Sequence, residues 1–316
     1  MPQPSEIKDF KATVVKSTGS FYTVRAEDGK RYSCVVKGNF RIKGIKSTNP
    51  IAVGDYVLVE LPENAEHGII KELFDRKNYI IRRSANLSKQ SHVVAANIDQ
   101  AVLIVTLKLP ETPVEFIDRY LATAEAYHIR GILVFNKTDL YDKDEMNRLQ
   151  ELKSIYEKIG YSCLGVSALQ KRNIDALKEL FRGKTSLISG ISGVGKSTLI
   201  NVVEPGLDLK TAPLSDYHEA GMHTTTFAEM FDLSGGGEII DTPGIRGFGV
   251  VDMNKNEIYH YFPEIFRAAK GCRYYNCLHV NEPGCAVNEA VKKGELSESR
   301  YRSYLSIYED KNEKYR

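Results

Sequence analysis

Residues 190–198 read Gly-Ile-Ser-Gly-Val-Gly-Lys-Ser-Thr and carry the pattern G-x-x-x-x-G-K-[ST] at Gly190, Gly195, Lys196 and Ser197. Glycines at such spacing let the backbone curl so that successive N–H groups converge on phosphate oxygens. Lys196 is placed to reach the outer phosphates and the Ser197 hydroxyl to ligate Mg²⁺. A chance match in a chain of this length is on the order of one in a hundred at average composition. The flanks narrow it further. Thr185–Ser189 reads as a short buried strand, and Ser197–Val203 as a helix whose first turn favours an anion. Strand, loop and helix are what a phosphate loop requires, so Gly190, Ile191, Ser192, Gly193, Val194, Gly195, Lys196, Ser197 and Thr198 are assigned to a nucleotide.

From Ile98 onward, strand-like and helix-like segments alternate. Ala101–Leu107, Arg130–Phe135 and Ser162–Val166 read as strands; Val114–Tyr127, Glu145–Ile159 and Ile174–Phe181 read as helices. A hairpin is expected around Ser234-Gly-Gly-Gly237. The pattern predicts a doubly wound α/β domain over 98–251, with ligands at the C-terminal strand ends.

Two motifs occupy such ends. Asn136-Lys137-Thr138-Asp139 follows the strand at Phe135. The Asp139 carboxylate accepts from two adjacent guanine donors that adenine lacks, which selects GTP over ATP. Asn136 bridges toward the phosphate loop and the Lys137 stem covers the purine. The alternative is that Asp139 merely caps a helix. Ser167-Ala168 follows the next strand and presents the Ala168 N–H to guanine O6. Beyond the loop stand Thr224-Thr-Thr226 and Asp241-Thr-Pro-Gly244. Asp241 suits a water-mediated Mg²⁺ contact, Gly244 meets the γ-phosphate, and Thr225 is the threonine expected on Mg²⁺. The motifs are those of GTP-binding proteins in rotated order, which resembles a circularly permuted GTPase. In Ras-like proteins a Gln orients the attacking water. Ile245 stands there in this chain, so His223 is the candidate catalytic group; it otherwise packs or contacts RNA, or the partner supplies the function.

Residues 1–75 read as an all-β, five-stranded OB-fold barrel, with runs at Phe10–Lys16, Phe21–Arg25, Arg31–Val36, Asp55–Leu61 and Gly68–Leu73. Such a barrel either binds RNA or caps its neighbour. Residues 76–97 read as a basic linker without a clean period. Charge is asymmetric: residues 1–97 hold 16 Lys and Arg against 10 Asp and Glu, and 98–251 hold 16 against 21. The basic excess is either a solvated face or a nucleic-acid footprint.

Residues 252–316 contain Cys272-x₄-Cys277-x-His279-x₅-Cys285. Three thiolates and an imidazole make a closed tetrahedral zinc site of structural type. Cys34 and Cys163 are isolated and read as small core residues. Arg267, Lys270, Arg273, Tyr274 and Tyr275 surround the zinc motif and suit RNA stacking or helical packing alike. The polar N-terminus is unlike a secretory signal, and the apolar runs are strand-sized, far below the roughly 18 residues of a membrane span. A soluble, cytoplasmic protein is expected, with no membrane partner.

Barrel, permuted GTPase domain and C-x₄-C-x-H-x₅-C segment together resemble one family, the ribosome small-subunit-dependent GTPase A family, over essentially the whole chain. The resemblance implies late maturation of the small ribosomal subunit, binding of its rRNA through the barrel and zinc domains, and release on hydrolysis of GTP to GDP. A monomer that gains activity on the subunit is expected. Family members carry a basic residue before the H-T-T-T run, where this chain has Met222. The rival readings are a GTP-dependent regulator of another RNA or a translation factor, and a nucleic-acid-binding protein with a structural nucleotide.

Overall fold

The computed structural model describes residues 7–19, 21–36, 50–63, 65–83, 91–209, 228–241 and 253–309. They gather into two compact units. The first takes in the described residues of 1–99, 181–188 and 215–244; the second takes in those of 100–180, 189–214 and 245–316.

In the first unit, β1 (Ile7–Ser17) pairs antiparallel with both β2 (Tyr22–Ala26) and β4 (Tyr56–Pro62). β2 pairs with β3 (Arg31–Val36), β3 runs parallel to β5 (Gly68–Leu73), and β5 returns to β4. That circuit closes a five-stranded barrel and leaves no free edge within it. Alternation along the strands puts Val14, Val24, Cys34, Val57, Val59 and Ile70 inside. Cys34 is a core residue, as its setting in the sequence suggested.

Residues 76–97 depart from the linker expectation. β6 (Tyr79–Arg83) and β7 (Ser91–Ala96) pair antiparallel there. Their apolar runs, Tyr79-Ile80-Ile81 and Val93-Val94-Ala95-Ala96, are short and unbroken and adjoin Arg82-Arg83 and Ser91-His92, which hides the alternation. Arg76 holds this segment to the barrel. Its guanidinium makes a bidentate pair with the buried Asp55 carboxylate, Nε to Oδ1 and Nη2 to Oδ2, both 2.6 Å. Gly54 adopts φ +91°, and a Cβ there would lie 2.1 Å from the Ala96 carbonyl oxygen, so only glycine lets the two strands' ends approach.

The same unit contains β11 (Thr185–Ser189) and the hairpin β12 (Glu229–Asp232) and β13 (Glu238–Asp241). β13 lies parallel to β11, and β12 pairs with the end of β1 through Lys16 opposite Glu229. Ion pairs reinforce the join: Lys16 to Glu229 at 2.9 Å, Arg25 to Glu238 at 2.8 Å and Arg31 to Asp232 at 3.1 Å. The hairpin that ends on Asp241 is therefore bonded to the barrel.

In the second unit, β8 (Gln100–Val105), β9 (Arg130–Phe135) and β10 (Ser162–Gly165) are parallel neighbours in the order β10-β9-β8. β8 is buried along its whole length, as a strand covered on both faces must be. The helices α1 (Val114–Ala126), α2 (Lys143–Ile159), α3 (Ile174–Phe181) and α4 (Lys196–Val203) alternate with the strands. α2 begins at a capping box. The Asp142 carboxylate accepts from the Asp144 and Glu145 amides, and Glu145 accepts from the Asp142 amide. The helix cap is Asp142, which leaves Asp139 out of that role. Among the described residues, no helix is long and apolar enough to cross a membrane.

The C-terminal helices α5 (Pro263–Ala269), α6 (Ala286–Lys292) and α7 (Glu298–Glu309) share a small core with α1, built on Ile258, Phe262, Ile265, Val287, Tyr304 and Ile307 around Ala122. Arg300 of α7 is fully buried. It donates to Asp118 of α1 at 2.8 Å and to Glu264 of α5 at 2.6 and 3.3 Å, with its guanidinium 4.6 Å from the Phe262 ring. Tyr156 donates to the same Asp118 oxygen at 2.8 Å. Breaking one partner of a buried ionic cluster leaves the others desolvated and uncompensated. Arg300→Met is expected to destabilise this unit by about 3–5 kcal/mol, read as a lowered urea midpoint. A shift equivalent to less than about 1 kcal/mol would mean that water or a rearranged partner takes over.

Candidate functional site

The phosphate loop leaves β11 at Gly190 and enters α4 at Lys196. Two of its glycines are imposed by close approach. A Cβ on Gly190 would lie 2.7 Å from the Ile104 carbonyl oxygen, and one on Gly195 (φ +87°) would lie 2.7 Å from Asn136 Nδ2. Lys196 Nζ donates to the Gly190 and Ile191 carbonyls at 2.8 and 2.9 Å. The ammonium is thus held over the loop, where phosphate oxygens compete for the same protons. Ser197 and Thr198 open the first turn of α4, whose unpaired N–H groups favour an anion.

The NKTD segment lies against this loop. Asn136 Nδ2 donates to the Val194 carbonyl at 2.9 Å, and its Oδ1 accepts from the Ala168 amide at 3.2 Å. One buried amide therefore ties together three stretches far apart in sequence. Lys137 (φ +62°) donates to the Gly193 carbonyl at 2.7 Å and to the Leu109 carbonyl, which lays its stem across the site. Burial lowers the Lys137 pKa and the Asp139 charge opposes that shift. Thr138 Oγ1 donates to the Val166 carbonyl at 3.0 Å, and Asp139 Oδ1 accepts from Ser167 Oγ at 2.5 Å. Ser167 Oγ in turn accepts from the Gln170 amide, so the carboxylate is aimed by a hydroxyl that is itself held. Residues 136–139, 167–168 and 190–198 form one cluster although their order along the chain is rotated.

The rest of the expected set is less accessible. Asp241 ends β13 opposite Ile188 of the parallel β11. His223, Thr225 and Gly244 lie outside the described residues, as do Met222 and Ile245. Residues that the sequence did not flag also shape the site. Pro110 closes over Gly193, and the Tyr141 hydroxyl bonds behind the NKTD turn. Nothing in the one-dimensional spacing marks either, since Pro110 meets a residue far along the chain and Tyr141 bonds backbone atoms of Asn136 and Leu107.

Cys272, Cys277, His279 and Cys285 bring their ligand atoms within 4.8 Å of one another. His279 Nδ1 stands 3.5 Å from Cys272 Sγ and 3.6 Å from Cys285 Sγ, and the two sulfurs are 4.0 Å apart. A tetrahedral site with metal–sulfur bonds of about 2.3 Å has edges of about 3.8 Å, so the spacings fit a divalent ion at the centre. Burial pushes the Cys277 thiol up to about 12 and lowers His279. A cation reverses the first effect by stabilising thiolate. The surrounding groups hold the ligands in place. Glu282 accepts from the amides of Leu278, Val280 and Asn281 at 2.7, 2.9 and 3.0 Å, and Tyr301 donates to the His279 carbonyl at 2.8 Å. Against the burial that raises it, these N–H bonds hold the Glu282 carboxyl below its usual range. On the loop between Cys272 and Cys277, Tyr275 is 99% exposed and Arg273 lies 5.5 Å from the Tyr274 ring. Helical packing does not account for Tyr275.

A family model described as RsgA GTPase matches residues 73–251, and one described as RsgA N-terminal domain matches 11–70. The chain belongs to the RsgA GTPase family. A relative in Bacteroides fragilis (strain ATCC 25285), named small ribosomal subunit biogenesis GTPase RsgA, is 57% identical over 97% of this chain and 99% of its own. One of the same name in Christiangramia forsetii is 56% identical over 96% and 97%. Among solved structures, YjeQ from Thermotoga maritima aligns at a TM-score of 0.78 and 36% identity, covering 96% of this chain and 98% of that one. YloQ, described as a circularly permuted GTPase, aligns at 0.74 and 29%, covering 96% and 95%. The rotated motif order is thus a property of the RsgA fold, and the chain has its barrel, its GTPase domain and a C-terminal cluster fit for a metal.

Proposed function

We propose that this protein hydrolyses GTP to GDP and phosphate on the small ribosomal subunit during its late maturation, and that the subunit accelerates the reaction. The observation that carries the reading is the convergence of Asn136 on both Val194 and Ala168, which joins a guanine-reading loop to a phosphate loop. The names of the full-length relatives supply the ribosomal context.

Each residue then has a role. Asp139, aimed by Ser167, accepts from the guanine N1–H and 2-amino group, and the Ala168 N–H meets O6. The loop amides of 190–195 and the first turn of α4 bind the phosphates, and Lys196 swings from its carbonyl partners to the β- and γ-oxygens. Ser197, Thr225 and, through a water, Asp241 would hold Mg²⁺, which would supply positive charge against the phosphates. The Gly244 amide meets the γ-phosphate. Phosphoryl transfer needs a positioned water and electrostatic support more than covalent chemistry. Ile245 has no polar atom to orient that water, so His223 takes the task and intrinsic turnover is slow. His223→Ala is expected to lower turnover on subunits by about 10²-fold with little change in GTP affinity. Unchanged turnover would assign the role to the ribosome or another residue.

The tetrahedral cluster takes zinc and folds the C-terminal domain, residues 252–316; residues 1–75 form the RNA-binding barrel, 76–97 a basic connecting segment that carries the β6–β7 hairpin, and 98–251 the GTPase domain. The protein works as a monomer in the cytoplasm, where its subunit partner matures. Barrel and zinc domain contact rRNA, with Tyr275 exposed for base stacking and Arg273 for phosphate. Co-sedimentation with small subunits tests this reading. Binding is expected to be stronger with a non-hydrolysable GTP analogue than with GDP, and to fall steeply between 50 and 200 mM salt, a range over which phosphate contacts release roughly 10³-fold or more in affinity. Equal binding in both nucleotide states, or equal binding to large subunits, would contradict it.

A further inference from the structure

We propose that Tyr141 is a positioning residue of the nucleotide site, whose hydroxyl locks the guanine-reading turn to the loop that overhangs the phosphate loop. The proposal rests on the reading of residues 136–139 as the guanine site.

Tyr141 follows the NKTD turn by two residues and folds back beneath it. Its hydroxyl donates to the Asn136 carbonyl at 2.8 Å and accepts from the Leu107 amide at 2.9 Å. The first bond holds the backbone of the residue whose side chain spans Val194 and Ala168. The second holds the start of the loop 107–112. That loop is braced internally, with Thr106 Oγ1 donating to the Pro110 carbonyl at 2.5 Å and the Thr112 amide to the Thr106 carbonyl at 2.7 Å. Those bonds tie its ends together, and it touches the site twice. The Leu109 carbonyl accepts from Lys137 Nζ, and Pro110 Cδ sits 3.2 Å from where a Gly193 Cβ would be.

One phenol therefore sets the spacing between the base-reading turn and the overhanging loop. Burial pushes its pKa up to about 12, so it stays a protonated donor at every physiological pH. An ion pair of Lys108 with Glu145 at 2.9 Å runs alongside, but Lys108 is only half-buried and the pair contributes little geometry. Without the hydroxyl, the Leu107 amide and the Asn136 carbonyl lose their shared partner and both loops gain freedom. Nucleotide binding then has to order them, which weakens affinity without touching the hydrolysing groups.

The test compares wild type, Tyr141→Phe and Asp139→Asn in the full-length protein. Steady-state turnover of GTP and XTP and a fluorescence titration with GDP are measured. Chemistry is slow, so KM follows the dissociation constant. Tyr141→Phe is expected to raise the KM for GTP and the Kd for GDP about tenfold, with kcat within about twofold of wild type. Both constants read only folded molecules. A purely structural loss lowers apparent kcat and leaves them unchanged. Values of KM and Kd within twofold of wild type, with or without a loss of turnover, overturn the proposal. Asp139→Asn reports on the underlying reading separately: if it does not turn the site toward XTP, residues 136–139 are not the base site and both readings fall.

Discussion

Stripping the metal from this protein with a strong chelator is expected to unfold the helical segment of residues 253–309. The four ligands are buried or half-buried inside a core of only about ten side chains, too small to hold three short helices unaided. α5 and α6 have seven residues each, far below the length at which a helix is stable alone. Structural zinc contributes apparent binding energies of about 10–16 kcal/mol in small domains at neutral pH, and the zinc proposed for this cluster would supply that energy to folding. Cys277→Ala leaves three ligands and a site open to water. Elemental analysis of that variant is expected to show loss of bound zinc, and limited proteolysis to cut within the segment. α7 is pinned to α1 through Arg300 near its start and Ser306 near its end, so it will outlast the ligand loops. Purified wild type that holds no metal yet resists proteolysis there would contradict the assignment.

Asp139→Asn is expected to exchange guanine for xanthine specificity. The wild-type carboxylate accepts from N1–H and the 2-amino group. An amide keeps one acceptor and offers one donor, which suits the 2-oxo group of xanthine and repels the 2-amino group. Sites built on paired hydrogen bonds reject the wrong partner by about 10⁴–10⁵-fold, so KM for GTP should rise on the order of 10²-fold or more while XTP becomes a substrate. The substitution keeps the acceptor for the Ser167 hydroxyl, so the loop is not expected to collapse. Retained GTP preference would show that the base is read elsewhere.

The sequence made the chemistry of this protein far more legible than its connections. Glycines at fixed spacing, an Asp after Asn-Lys-Thr and a Cys/His cluster each carry a local rule, and the structure brings those described together. The barrel strands were legible because alternation and turns are local too. The hairpin at 79–96 was hidden because short unbroken apolar runs carry no period. Tyr141 and Arg300 act through partners 34 to 182 residues distant, and Tyr141 and Glu282 through nearby backbone atoms, and no spacing rule reaches them. The capping box at Asp142 was readable in hindsight, since Asp142-x-x-Glu145 is its signature. In the rotated order Asp241-Thr-Pro-Gly244 stands directly before the C-terminal segment. The structure adds that the hairpin leading into it is paired with the barrel strand β1.

The central claim is that this GTPase is incomplete until a small ribosomal subunit completes it. Multiple-turnover hydrolysis of GTP, measured alone and with purified small or large subunits, tests it most directly. The account predicts slow turnover alone, a rise on the order of 10-fold to 100-fold with small subunits, loss of that rise at high salt, and no comparable rise with large subunits. Equal stimulation by both subunits, or none by either, would contradict the ribosomal assignment and leave a GTPase of the same fold acting on another partner.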